Sequence, residues 1–332
     1  MRVTAPPILA PSELSGSRSP ADRFGDRALF ALTTLAAVAV LATIAFVIYQ
    51  LIDGALPAID LYGLGFIGHN VWVPNLGPGG LGIYGAAAFI YGTAIISAIA
   101  LVVGAPIGIA IGLFLSMLAP RGIATAIGPL VELIAAIPSV VLGLWGILIF
   151  APIMSSTIEP ALHDVLGWIP IFGAPNATGH GLFTAGIVVA VMVVPIIASI
   201  SRELFNSVPN ELKEGALALG ATRWEMVRGV VLSSTRQGLI ATLILGLSRA
   251  LGEAIVVLQL AGGGSASIIS GNLFNNGDSL ASRIANTFIG ALNSRETAAL
   301  FYLAVILLAL GLAANLAAQM IVRRYELSHR RA

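Results

Sequence analysis

Long apolar stretches alternate with shorter polar segments along the chain. Six of the apolar stretches are about 20 residues or longer and carry few charges, and such a length is needed to cross the roughly 30 Å hydrocarbon layer of a bilayer. They occupy 28–52, 87–117, 124–153, 183–201, 235–260 and 297–322. The pattern therefore predicts an all-α protein, a polytopic membrane bundle of six transmembrane helices.

The polar segments indicate how the chain is organised around these spans. Residues 1–27, rich in Pro, Ser, Arg and Asp, have too little apolar content to fold alone, and we expect them to form a disordered tail. Residues 28–324 form the transmembrane domain, and 325–332 form a second tail. The segments 53–86, 154–182 and 261–296 are rich in Gly, Pro, Asn and Asp, which predicts short caps between spans.

Composition supports this class and excludes several others. The chain is 57% hydrophobic and 10% charged, whereas roughly a quarter of the residues of a soluble protein are charged. A net charge of +1 and the absence of cysteine argue against nucleic-acid binding and thiolate metal sites. The only lysine, Lys213, lies in no G-x-x-x-x-G-K-[ST] phosphate loop. We therefore expect no cofactor or metal, and any ATP dependence must come from a partner.

The arginines set the expected orientation. Of the 17 Lys and Arg residues, all but Arg249, Arg283 and Arg295 lie on the side of the membrane that holds the N-terminus in a six-span arrangement. Cytoplasmic segments carry the excess of Lys and Arg in membrane proteins. Both tails and the segment between the fourth and fifth spans are therefore predicted to face the cytoplasm.

The segment between the fourth and fifth spans predicts a helical hairpin. Pro209 suits the first turn of a helix, and Leu212, Ala216 and Leu219 fall on one face of it. Gly220 is suited to ending that helix, because a left-handed conformation commonly follows a helix C-terminus.

A second helix follows directly in the sequence. Thr222 and Glu225 form a T-x-x-E capping box, so this helix should begin at Arg223. It should present three apolar residues on one side: Trp224, Val227 and Val231.

Three interpretations of the hairpin are open: a covered loop, a DNA-reading motif or a docking element. Short tethers to the bilayer at both ends hinder insertion into a major groove but allow insertion into a groove on a soluble partner. Docking is therefore the better functional interpretation, and DNA recognition is disfavoured.

The hairpin also resembles a known motif, the EAA loop of ABC importer permeases. The motif reads E-x-A-x-x-x-G, then nine residues, an aliphatic residue, any residue and Leu. The matching positions are Glu214, Ala216, Gly220, Val230 and Leu232, while Gly215 and Ser233 stand where the family usually has Ala and Pro. The resemblance implies that residues 207–233 form a coupling loop that docks on a separate ATP-hydrolysing subunit.

Two opposite charges lie inside the predicted fifth span. Arg249 and Glu253 are four residues apart, so on a continuous helix they would be neighbours that neutralise each other. Charged groups within a membrane also mark ion pathways. A guanidinium offers forked donors that fit an oxyanion, whereas a carboxylate repels one unless the anion carries a proton to donate. Hydrogen phosphate carries such a proton and sulfate does not, which favours phosphate as the passing ion.

Three stretches resemble the PstC-type permease of phosphate ABC importers. They are the run R-A-L-G-E at 249–253, the stretch 137–146 and the segment 277–285. The resemblance implies a bacterial inner-membrane permease subunit that is not itself an enzyme. It implies three partners: an ATP-binding subunit, a PstA-type second permease subunit and an external phosphate-binding protein. Ala254 stands where the family usually has Thr, so a hydroxyl contact there is not carried over.

Other functions are open at this level. Permeases for sulfate or molybdate share a similar Gly-Glu element, and a passive channel or a structural bundle would lack a docking hairpin. An intramembrane enzyme is disfavoured, because no predicted span contains Asp or His.

Three further residues within the spans are candidates. Glu132 could pair with Arg249, could line the substrate pathway separately or could simply be water-bound. Pro138 and Pro195 each remove a backbone hydrogen bond, so they are candidate flexing points for alternating access.

The orientation can be tested by labelling a single cysteine. Because the chain has no native cysteine, Trp224→Cys supplies a unique label in the hairpin. We expect a membrane-impermeant thiol reagent to modify it only after the cytoplasmic face has been exposed in inverted vesicles. Modification in intact cells would contradict the predicted topology.

Overall fold

The structure of the protein is a computed structural model, which describes residues 20–74, 82–263, 269–291 and 293–329. Of these residues, those up to Asp53 form one compact unit and those from Gly54 onward form a second. The helices are α1 (Pro20–Tyr62), α2 (Gly65–Gly68), α3 (Ala87–Leu113), α4 (Arg121–Ala135), α5 (Ser139–Trp145), α6 (Ala151–Ile153), α7 (Glu159–Leu166), α8 (Leu182–Ser207), α9 (Asn210–Ala218), α10 (Arg223–Met226), α11 (Leu232–Gly252), α12 (Ile255–Leu260), α13 (Leu280–Thr287) and α14 (Ser294–His329).

Short elements of other types complete the chain. Two strands, β1 (Trp72–Val73) and β2 (Ile83–Tyr84), pair antiparallel. Short 3₁₀ turns span Pro170–Phe172 and Phe288–Gly290. Four π-helical turns join α-helical pieces or extend them: Phe114–Leu118, Gly146–Phe150, Met154–Ile158 and Val227–Val231.

The all-α class and the number of spans are confirmed. Within the described residues, 6 helical segments are long and apolar enough to cross a membrane. They are Phe24–Tyr62, Ala87–Leu118, Ser139–Leu166, Leu182–Ser207, Arg223–Gly252 and Ser294–Ala317.

The predicted tails differ from the structure where it describes them. α1 begins at Pro20, so residues 20–27 are helical rather than part of a disordered tail. α14 continues to His329, so residues 325–329 are helical as well. The rest of both predicted tails, 1–19 and 330–332, lies outside the described residues.

Two predicted spans are divided. The stretch 124–153 breaks after α4, where Ala136, Ile137 and Pro138 are not helical. The third span begins only with α5 and covers Ser139–Leu166, so its predicted bounds are wrong and α4, with Glu132, lies outside the six spans of the described residues. Pro138 causes this break, because it has no N–H to donate and its ring disfavours a helical residue before it. The stretch 235–260 breaks at Glu253, between α11 and α12.

α3 and α8 pack closely because glycines on α3 leave room for α8. A Cβ at Gly108 would lie 2.8 Å from the Ile197 side chain, and one at Gly112 would lie 2.9 Å from the Ala198 carbonyl oxygen. Small residues at this spacing let helix backbones approach closely in membranes. The core around this pair is formed by buried aliphatic residues of α3, α8 and α12.

Residues 269–279 form an irregular segment that hydrogen-bonds to the first turn of α8. The first N–H groups of a helix have no partner within the helix. Here the Leu182 N–H donates to the Asn275 carbonyl at 3.2 Å, and the Phe183 N–H donates to the Leu273 carbonyl at 2.9 Å. The segment therefore satisfies two of the first N–H groups of α8.

Because α3 packs tightly against residues 269–279, adding a single methyl group at this contact should lower the stability of the protein. A Cβ at Gly92 would collide with the Asp278 carbonyl oxygen, whereas a Cβ at Gly122 meets nothing within 4 Å. We expect Gly92→Ala to destabilise the protein by about 1–3 kcal/mol, as overpacking does. Membrane abundance and thermal stability in detergent measure this effect. Gly122→Ala is the matched control, and equal stability of the two variants would contradict the packing described.

Candidate functional site

The two divided spans lie against each other. α5 and α12 pack through Gly143, where an added Cβ would collide with the Gln259 side-chain oxygen. Both helices begin four residues before this contact, at Ser139 and Ile255. The breaks that precede α5 and α12 are therefore at a similar level in the bundle.

The chain after α5 and the C-terminal end of α12 both lie near the residues that precede α8. The Leu260 carbonyl at the end of α12 accepts a hydrogen bond from the Gly181 N–H at 3.0 Å. Ala151, which follows the π-helical turn after α5, lies against Gly179. α5 and α12 therefore run side by side in the same direction from their breaks.

Glu253 lies at the break in the fifth span, outside both helices. Its backbone is extended (φ −72°, ψ 113°), and its carboxylate accepts a hydrogen bond from the Val256 N–H at 3.3 Å. This bond satisfies one backbone donor that the break would otherwise leave without a partner. Glu253 thus closes the first turn of α12.

The expected helical pairing of Arg249 with Glu253 is corrected by this break. Because α11 ends at Gly252, the two side chains are not neighbours on one helical face. No ion pair joins them among the residues that the structure describes. Arg249 is exposed in the last turn of α11, where a cation is favoured by the helix dipole.

Glu132 is brought close to Arg202 rather than to Arg249. Glu132 is exposed on α4, and it lines a small cavity together with Arg202 and Ser199 of α8. The described ranges show no ion pair between Glu132 and Arg249. No contact with Arg249 or Glu253 within the described residues therefore supports the prediction that Glu132 lies on the substrate pathway.

The two prolines occupy different settings. Pro138 precedes α5, and its carbonyl accepts hydrogen bonds from Val141 and Leu142 at 3.0 and 3.3 Å. Pro195 lies inside the uninterrupted helix α8. A role in flexing stays a prediction for both residues.

The first helix of the hairpin ends as its sequence predicts. Gly220 has a left-handed conformation (φ +88°). Its N–H donates to the Leu217 carbonyl at 3.0 Å, and the Ala221 N–H donates to the Ala216 carbonyl at 3.2 Å. These two bonds form a Schellman motif, which pairs carbonyls that the end of α9 would leave exposed.

The second helix begins with the predicted capping box. The Glu225 N–H donates to the Thr222 hydroxyl at 3.3 Å, and the Thr222 N–H donates to the Glu225 carboxylate at 2.8 Å. This helix is not a separate element, however. α10 continues through the π-helical turn Val227–Val231 into α11, so the second helix of the hairpin is the start of the fifth span.

A small apolar core seats the hairpin on the bundle. Val227 and Val231 are buried with Phe205, and Ala216 packs against this cluster. The expected common face of α9 is only partly used, because Leu212 is 53% exposed and Leu219 is 91% exposed.

Lys213 adds a polar tie between the hairpin and α8. Its ammonium donates a hydrogen bond to the Phe205 carbonyl in the last turn of α8, at 3.2 Å. Desolvation by burial lowers the pKa of the Lys213 ammonium. α9 is thus tied to the end of α8 by this bond and by the apolar core.

The rest of the hairpin surface is open, and it carries apolar groups beside charged ones. Trp224 is 64% exposed, and Leu217 is 41% exposed. Glu214 and Gly215, in the resembled motif, are also exposed, and a Cβ at Gly215 would meet nothing within 4 Å. Val230 and Leu232, the last two motif positions, pack partly into the apolar core. Exposed apolar groups clustered on a surface are typical of a protein interface.

One cluster of charges was missed by the sequence analysis. Asp278 and Arg283 form a buried ion pair at 3.0 Å, and the Arg283 guanidinium lies 4.8 Å from the centre of the Phe89 ring. Desolvation by burial raises the pKa of the Asp278 carboxyl, and Arg283 opposes that shift. The cap formed by Ser279 and Ser282 at the start of α13 was the available signal, although it does not reveal the pairing.

Comparison with known proteins identifies relatives over most of the chain. Residues 104–327 match the family described as binding-protein-dependent transport system inner membrane component. A Haemophilus influenzae protein named phosphate transport system permease protein PstC is 40% identical over 77% of this chain and 80% of its own length. A Pasteurella multocida protein of the same name is 38% identical over 90% of this chain and 92% of its own length.

A solved structure supports the fold. A chain of a bacterial alginate ABC transporter, crystallised with an alginate-bound periplasmic protein, aligns with 89% of this chain and 97% of its own length. The TM-score is 0.56 at 17% sequence identity. At this identity the likeness concerns the fold alone.

The hairpin geometry predicts opposite results for two of its glycines, Gly215 and Gly220. Gly220→Val places a β-branched side chain at φ +88°, where such residues are strongly disfavoured. We expect it to disrupt the end of α9 and, if residues 207–233 dock on an ATP-binding subunit as the resemblance implies, to abolish that binding, measured by copurification from membranes. Gly215→Ala, which stabilises an exposed helix by about 1 kcal/mol, is the control and should retain binding. Normal copurification of Gly220→Val would contradict the assigned docking surface.

Proposed function

The chain belongs to the binding-protein-dependent transport system inner membrane component family, and we propose that it is the PstC-type permease subunit of an importer of inorganic phosphate. Such a protein is a multi-pass component of the bacterial inner membrane. The observation that carries the proposal is the similarity to proteins named PstC along nearly the full chain, up to 90% of it.

The proposed assembly adds three partners to this chain: a binding protein, an ATP-binding subunit and a second permease subunit. The family name implies an external binding protein, and the exposed hairpin offers a surface for an ATP-binding subunit. A PstA-type second permease is the proposed partner within the membrane, because six spans are few for a complete alternating pathway. Both termini and the hairpin face the cytoplasm in this arrangement, in agreement with the arginine distribution.

The break in the fifth span gives a physical basis for phosphate passage. Arg249 is exposed at the end of α11, so its guanidinium is available for two oxygens of a tetrahedral anion. Glu253 follows at the break and is partly exposed. A carboxylate there disfavours a fully deprotonated oxyanion and accepts a hydrogen bond from hydrogen phosphate. The pair therefore favours phosphate over sulfate or molybdate without needing the ion pair that the sequence suggested.

Two conservative variants test this function in the assembled transporter. Arg249→Gln removes the forked donor, so we expect phosphate uptake to fall roughly ten- to hundred-fold, because a hydrogen bond to a charged group contributes about 1.5–3 kcal/mol. Glu253→Gln keeps the size of the side chain but removes its charge, so we expect uptake to weaken or sulfate to compete. ATP-driven uptake of labelled phosphate into proteoliposomes, with and without sulfate, measures both effects.

Controls separate a transport defect from a folding defect. Membrane abundance, copurification of the ATP-binding subunit and ATP hydrolysis should stay near wild type in both variants. Glu203→Gln, an exposed carboxylate of α8, is the matched control and should transport phosphate normally. Unchanged uptake and selectivity in both test variants would remove the pair from the pathway, and uptake of another anion by the wild type would contradict the proposed substrate.

A further inference from the structure

An apolar groove runs along the outside of α8 where α3 and α4 flank it. Its cavity volume is about 320 Å³, which lies within the range of about 300–1,000 Å³ of small-molecule sites. Its lining is entirely apolar and comes from three helices: Val103, Ile107 and Ile111 of α3, Val131 and Ile134 of α4, and Ile187, Ala190, Val191, Val194 and Pro195 of α8.

Two oppositely charged residues, Arg202 and Glu132, lie at one end of this groove. Val131 lines both the groove and the small cavity that contains Arg202 and Glu132. The Arg202 Cζ lies only 3.0 Å from the position that a Cβ of Gly128 would take, so the glycine makes room for the guanidinium against α4.

The two charges do not neutralise each other directly. Neither Arg202 nor Glu132 makes a side-chain hydrogen bond or an ion pair within the part of the chain that the structure describes. Arg202 is half-buried and Glu132 is exposed. A half-buried guanidinium near hydrocarbon is costly without an anion, so this end of the groove offers a cation site and an anion site side by side.

We propose that this groove binds one molecule of phosphatidylethanolamine. An acyl chain lies in the apolar groove, the lipid phosphate accepts hydrogen bonds from Arg202, and the lipid ammonium donates to the Glu132 carboxylate. A purely anionic headgroup would satisfy Arg202 but would be repelled by Glu132. The opposite charges in the headgroup match the opposite charges on the protein.

The depth of Arg202 agrees with a headgroup contact. α8 has 26 residues and is about 39 Å long at 1.5 Å per residue, whereas the hydrocarbon layer is about 30 Å thick. Arg202 is five residues from the end of α8 at Ser207, or roughly 7.5 Å. It therefore lies close to the boundary between hydrocarbon and headgroups. This leaflet is the cytoplasmic one in the proposed orientation, on which this point of the inference rests.

A helix of the second permease subunit is the rival occupant of the groove. An apolar helix would cover the lining but would leave Arg202 without an anion. The glycines of α3 that could accept a close helix, such as Gly108 and Gly112, are already occupied by α8. The charges at the end of the groove therefore favour a lipid over a partner helix.

Lipid retention by the purified complex tests the proposal. We expect mass spectrometry of the delipidated wild-type complex to find phosphatidylethanolamine in preference to phosphatidylglycerol. Arg202→Gln should lower the retained phosphatidylethanolamine roughly ten-fold, as loss of a charged hydrogen bond implies. Arg121→Gln removes an exposed arginine at the start of α4 and is the matched control, which should retain the lipid.

A second variant tests the groove without changing a charge. Val191 is 39% exposed in the lining, and Val191→Trp should fill the groove and expel the acyl chain with a similar loss of lipid. Photoactivatable phosphatidylethanolamine added to wild-type proteoliposomes should label α4 and α8, which gives a measurement that needs no variant. Lipid retention is measured without phosphate or ATP, so its result is separate from that of the uptake experiment.

Three results would overturn the proposal. The first is equal retention of phosphatidylethanolamine by wild type, Arg202→Gln and Val191→Trp. The second is preferential retention of phosphatidylglycerol, which would mean that Glu132 does not select the headgroup. The third is efficient crosslinking of Val191→Cys to the second permease subunit in the absence of bound lipid, which would make the groove a protein interface.

Discussion

The bilayer interior offers no water to backbone groups, and the arrangement of this protein follows from that constraint. Each break in a spanning helix must find partners for its N–H and C=O groups within the protein or in a water-filled cavity. At the break before α12, the Glu253 carboxylate accepts the Val256 N–H. At the break before α5, Pro138 has no N–H to satisfy, and its carbonyl accepts the first bonds of the next helix. The Glu253 carboxylate thus satisfies one backbone donor at the break before α12, and the proline removes one donor at the break before α5.

A continuous helical segment connects the two ends of the fifth span. The helical segment from Arg223 to Gly252 has 30 residues and joins the hairpin to the break. At its start, the capping box and the apolar core hold it, and at its end Arg249 is exposed. We expect a movement of the hairpin on an ATP-binding subunit to reach Arg249 through this segment, which contains the π-helical turn Val227–Val231.

Local rules were sufficient for part of this arrangement. The end of α9 at Gly220 and the cap of Thr222 with Glu225 depend on residues within a few positions, so the sequence predicted both. The break at Glu253 could not be predicted in the same way, because apolar residues continue on both sides of it and packing of α12 against α5 decides it. The approach of Arg202 to Glu132 and that of Arg283 to Phe89 join distant parts of the chain, and no periodicity reveals such pairs.

Thiol accessibility at the break tests most directly whether phosphate passes there. Gly252 is exposed, and a Cβ at this position meets nothing within 4 Å, so Gly252→Cys places a small probe between Arg249 and Glu253. In the assembled transporter, a charged, water-soluble thiol reagent should modify it, and phosphate should slow the reaction while sulfate should not. Leu148→Cys, at an exposed apolar position of the third span, should stay unmodified. An unreactive Gly252→Cys, or one that phosphate does not protect, would contradict a pathway at this break.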